Sequence, residues 1–139
     1  MIELPGVPRG KGRPRFTRTG FAFTPPDTRK YEAALAKAGQ AAMVGRPPFN
    51  APVVVVVTAR FSIPQSWPKH RKADALKGIV QHTVKPDIDN VLKMALDGLN
   101  GVVWSDDKII VRCMARKVYG TSPGLVVSVQ PLDIMAEAA

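Results

Sequence analysis

KPDIDNVLKMALDGLNGVVWSDDKII, residues 85–110, holds a helix, a turn and the start of a strand in one short stretch. Val91, Leu92, Ala95, Leu96 and Leu99 recur three and four residues apart, which makes one apolar stripe of a helix that opens near Asp87 and closes at Gly101. Residues 102–104 are extended and Ser105-Asp106-Asp107 is a turn, after which 108–119 and 125–132 read as two strands paired around Gly120-Thr-Ser-Pro-Gly124. Upstream, residues 52–60, PVVVVVTAR, form a β-branched run that reads as a strand buried on both faces. Gln81-His-Thr-Val84 reads as a short strand, and residues 68–77 as a short basic helix inside a loop. A helix over 28–43 follows from Tyr31, Ala34, Leu35, Ala38 and Ala42 on one face, with Asp27 or Thr28 as its cap and Gly45 and Pro47-Pro48 as its stop. Residues 2–7 suit an edge strand because of Pro5, and 21–24 a hairpin arm. Strands and helices alternate without a βαβ period, which predicts an α+β fold: one domain over 1–139, a mixed sheet and two to three helices.

Charge is the second organising feature. The chain carries 20 Lys+Arg against 11 Asp+Glu, a net +9, which favours a polyanionic partner and above all nucleic acid. Residues 1–46 hold nine bases and three acids, and 47–85 hold six and one. Residues 86–107 reverse the balance, with five aspartates around a single base, Lys93. A protein that only held a polyanion would lose affinity by gathering carboxylates in this way, unless they bind a cation or face elsewhere. Residues 8–20, PRGKGRPRFTRTG, carry five bases without an apolar period and read as an exposed basic loop, in which Phe16 either stacks on a base or covers the sheet.

Two readings of the aspartates stand side by side. Asp87 and Asp89 sit two apart at a helix start, where one can be an ordinary N-cap and both can be ligands of a hard cation. Lys93 and Asp97 follow at one-turn intervals, which also suits a solvated face with i,i+4 pairs. Asp106 and Asp107 suit a turn held by local hydrogen bonds. Taken together inside a basic chain, they fit one site in which Mg²⁺ activates water for phosphodiester hydrolysis and a lysine stabilises the transition state. Other chemistries have less support. Gly10-Lys-Gly12 lacks the Ser or Thr of a phosphate loop, His70 and His82 lack ligand spacing, and no nucleophile elbow is present. The single Cys113 excludes a disulfide scaffold, and no apolar run is long enough for a membrane span, so a cytoplasmic location is expected.

Residues 85–110, with their D-x-D-N-x-x-K and W-x-D-D motifs, and the N-terminal LPGVPRGKGRPRFTRTG with FAFTP resemble the RusA family of Holliday junction resolvases, structure-selective endodeoxyribonucleases often found in phages and prophages. The resemblance spans most of the chain. It implies a RusA-like α+β domain acting as a homodimer on four-way DNA junctions, with no membrane partner and with paired symmetric nicks. It further implies Mg²⁺, or alternatively Mn²⁺, held by Asp87, Asp89 and Asp107, with Asp106 as the alternative third ligand and Lys93 as the catalytic lysine. Residues 85–110 are then the catalytic region, and Lys11, Arg13, Arg15, Arg18 and Lys85 are the expected DNA contacts. A basic DNA- or RNA-binding protein without catalytic activity is the competing expectation.

Overall fold

The computed structural model describes residues 1–132. In chain order it contains β1 (Ile2–Pro5), a hairpin of β2 (Arg15–Phe16) and β3 (Ala22–Phe23), α1 (Pro26–Met43), β4 (Val53–Ser62), α2 (Lys69–Leu76) and α3 (Ile88–Leu99). A single 3₁₀ turn, Asp107–Ile109, leads into β5 (Ile110–Gly120), and β6 (Gly124–Pro131) completes the fold. The main sheet has the order β1-β6-β4-β5, with β4 parallel to β5 and the other pairs antiparallel. This is the α+β architecture with a mixed sheet and three helices that the element order implies.

Strand β4 is the spine of the domain. Val53, Val55, Val57, Ala59 and Phe61 are buried along one face, while Val54, Val56, Thr58 and Arg60 alternate with them and are only half-buried. A β-branched run therefore does not mean burial on both faces here: the sheet follows the one-sided pattern, and its inner face packs into a single core. Leu35 and Met43 of α1, Val91, Met94, Ala95 and Leu99 of α3, and Val103 and Trp104 fill that core. The two helices cross closely, since a Cβ on Gly98 of α3 would stand 2.9 Å from Leu35 Cδ1.

Residues 102 and 103 lie in a turn instead of an extended piece, residues 15–16 of the basic loop form a short strand, and three further local expectations change. First, β5 and β6 are not a hairpin, because β4 lies between them and pairs with both. Residues 121–123 instead cross the end of β4, where the Arg60 side chain lies beneath them and its Nε donates to Ser122 O at 2.6 Å. A Cβ on Gly120 would meet Arg60 Cδ at 2.5 Å, so a side chain there would displace Arg60 from this position. The second Arg60 bond, Nη2 to Glu3 Oε1 at 2.9 Å, ties β1 to the same point. Second, residues 81–84 form no strand. His82 turns inward and stacks on Phe61 with ring centroids 3.9 Å apart. Third, α1 has Pro25 as its N-cap residue with no side-chain cap, and Pro26 supplies the preset backbone angle of a first helical turn.

Candidate active site

Helix α3 starts at a point fixed from two directions. From β5, Lys117 Nζ donates to Val84 O at 2.8 Å and to Pro86 O at 3.0 Å. From the basic loop, the Lys11 backbone N–H donates to Asn90 O at 2.9 Å. Gly10 lies against the same place, where a Cβ would stand 3.0 Å from Pro86 Cβ and 3.1 Å from Asn90 Cβ. Gly10, Lys11, Lys85, Pro86, Asp87 and Asn90 together line one cleft of about 320 Å³.

Asp87 is the N-cap residue of α3, yet its carboxylate accepts no backbone N–H, so the capping account of this residue does not describe its side chain. Its backbone oxygen takes the helical bond from Val91 N. Asp89 is exposed in the first turn, and Lys93 is exposed one turn further on. None of these three side chains forms an ion pair with another described residue, so the i,i+4 pairs of a solvated face are not made. The positive end of the helix dipole favours carboxylates at this end.

Asp97, the last member of that row, takes its partner from the basic loop. Lys11 Nζ is 3.1 Å from Asp97 Oδ2 and also donates to Glu32 Oε1 of α1. Burial works against the Lys11 charge, but the hydrogen bonds and charges of Glu32 and Asp97 outweigh it and hold the ammonium above its ordinary range. Lys11, expected among the phosphate contacts, is engaged by these carboxylates and fastens the loop to α1 and α3. Arg13, Arg15, Arg18 and Lys85 are exposed and form no ion pair with a described carboxylate.

Asp106 and Asp107 have different roles in their turn. Asp106 Oδ1 accepts from Lys108 N at 3.1 Å and caps the 3₁₀ turn. Asp107 Oδ1 accepts from the indole Nε1 of Trp104 at 2.7 Å. Trp104 is fully buried and bridges to Phe49 and to Asn100 at the end of α3, so this carboxylate is anchored on the core. Asp87 and Asp89 are thus neighbours, whereas Asp107 belongs to the turn after the other end of the helix. Among the described residues, no three carboxylate, imidazole or thiolate side chains form a group that could hold a metal ion within this chain. The Asp87–Asp89 pair nevertheless fits Mg²⁺, which is commonly held by one or two carboxylates, with water and substrate phosphate supplying the other oxygens.

Lys117 escaped the sequence reading, while His82, which lacks ligand spacing, lies in the core. Lys117 looks like any base in a strand, and only the packing of β5 against residues 84–86 gives it a role. His82 carries a buried Nδ1 without a hydrogen-bond partner among the described residues. Burial first, and then the Lys117 ammonium, push its imidazole below the usual histidine range, which favours the neutral ring.

Carboxylates without partners at a helix start suit a hard divalent cation, and the exposed Lys85 beside them suits a phosphate. The family model described as endodeoxyribonuclease RusA matches residues 5–130, and the chain belongs to that family. A Bacillus subtilis (strain 168) protein described as uncharacterized protein YqaN is 34% identical over 65 residues, covering 47% of this chain and 46% of that protein. The chain thus matches about half the length of this curated relative. No helix among the described residues is long and apolar enough to cross a membrane.

Proposed function

We propose that this chain is a Mg²⁺-dependent, structure-selective DNA endonuclease that resolves four-way junctions as a homodimer, cutting opposing strands symmetrically. The observation that carries the reading is the spare Asp87 carboxylate, at a helix start, in a cleft shared with Lys85 and the basic loop. Asp87 and Asp89 would hold the cation, which supplies an acidified water and a counter-charge for the phosphate when bound; Asp107, beyond the other end of α3, would serve as third ligand only toward a cation on the second copy of the homodimer. Lys93, exposed beside Asp89, offers a positive charge to the phosphate in the transition state. Arg13, Arg15, Arg18 and Lys85 draw the DNA backbone to this end of the molecule.

The test is a labelled four-way junction incubated with Mg²⁺, with Mn²⁺ and with EDTA. Paired nicks placed symmetrically about the branch are expected with either metal and none with EDTA. The absence of any metal-dependent product at stoichiometric protein would instead support a binding protein without catalytic activity.

Lys117 is a positioning residue in this scheme, since it holds the backbone from which Asp87 emerges. Lys117→Met should lower stability by about 0.5–1.5 kcal/mol, the net worth of a hydrogen bond whose acceptors water can partly reach. It should also lower kcat with little change in KM, and Lys117→Arg should restore much of both. Loss of stability without loss of kcat would reduce Lys117 to a structural tie.

A further inference from the structure

The hairpin β2–β3 exposes three phenylalanines. Phe16 and Phe21 are 70% and 71% exposed and Phe23 is 41% exposed, although large apolar rings normally lie in the core. The pairing Arg15↔Phe23 and Phe16↔Ala22 fixes their directions. Thr17 N donates to Phe21 O at 2.8 Å and extends the ladder to the tip. Alternation along the strands then puts Phe21 and Phe23 on one face beside Arg15, and Phe16 on the other. Residues 10–26 contain no acid, while Arg13, Arg15 and Arg18 lie in the same stretch and Arg15 stands opposite Phe23. Strands of two residues cannot bury rings of this size by themselves.

We infer that this hairpin is a stacking probe for unpaired bases. A partner that offers aromatic faces and negative charge together is a nucleic-acid strand whose bases are not stacked on one another. In an intact duplex each base face is covered by its neighbours, whereas at a branch point or in a single strand some faces are open. The arginines hold the backbone while Phe16, or Phe21 with Phe23, covers a base. The inference deepens the junction-cleavage reading and rests on it only for the identity of the branched substrate.

The test compares wild type with Phe16→Ala/Phe21→Ala/Phe23→Ala. The probes are single-stranded oligothymidine bearing one 2-aminopurine, a junction bearing 2-aminopurine at the crossover, and a linear duplex. The triple variant should bind the first two about fivefold to a hundredfold more weakly, with an unchanged salt slope and unchanged duplex binding. Arg13→Ala/Arg15→Ala should flatten the slope by about one for each phosphate that the protein no longer neutralises. Phe16→Trp/Phe21→Trp, which keeps stacking surfaces, should bind as wild type, and the exposed positions should leave thermal unfolding unchanged. Wild-type binding of both open-base probes by the triple variant overturns the inference. So does loss of self-association in sedimentation, which would assign the rings to a second copy of the chain. Because binding to the single strand needs no cleavage, a protein that cuts nothing can still bear out the stacking role, and one that cuts junctions can still refute it.

Discussion

Asp87→Asn is expected to slow junction cleavage at least about a hundredfold, the size of effect seen when one group that meets developing charge is removed, while junction binding stays intact or tightens. The amide matches the carboxylate in shape but lacks the anionic oxygens that a hard cation requires. Binding should hold or improve because a negative charge next to phosphate disappears. The fold should not respond, since the Asp87 side chain caps nothing and its backbone bond to Val91 N survives the change. Single-turnover cleavage in Mg²⁺, junction binding in EDTA and thermal unfolding separate the three effects. A variant that cuts at the wild-type rate would remove Asp87 from the metal site. Asp89→Asn should behave in the same way, because it stands equally unpaired in the same turn.

Trp104→Ala should cost about 3–5 kcal/mol of unfolding free energy, the range for emptying a buried aromatic site, out of a total of about 5–15 kcal/mol for a domain. Trp104 is fully buried in the core, and its indole carries Asp107. Trp104→Phe separates the two contributions: most of the packing stays and the Nε1–H donor goes. The Phe variant should unfold at a urea midpoint much closer to wild type than the Ala variant, yet cleave more slowly because the Asp107 carboxylate loses its fixed direction. A Trp104→Ala protein within about 1 kcal/mol of wild type would mean that the site collapses around the missing ring more completely than such cores usually do.

How much of this was legible in the sequence depended on the range of the interaction. Helix α3, the hairpin arm at 21–24 and strand β4 were readable, because periodicity and turn residues act within a few positions, whereas β2 fell in a stretch that reads as loop. The pairing of β5 was not: its neighbour β4 runs parallel to it and lies far upstream, while the nearer strand β6 looked like the natural partner. Burial of β4 was misjudged because Val suits a half-covered pleat as well as a covered one. At the site, the residue types were visible but their engagement was not. Lys11 looked like one more loop cation, and its two carboxylates sit on α1 and α3. The anchoring of Asp107 on an indole and the hold of Lys117 on residues 84–86 likewise depend on the folded chain alone.

The Lys11 clasp has a further consequence. It fixes the base of the basic loop to the helix that opens with Asp87, and the chain runs from that fixed point through Gly12, Arg13 and Pro14 into the hairpin. On the proposed stacking role of the hairpin and the proposed cleavage at Asp87 and Asp89, this fixed point would act as one end of a gauge, and lengthening residues 12–14 is expected to move the point of cleavage along the DNA.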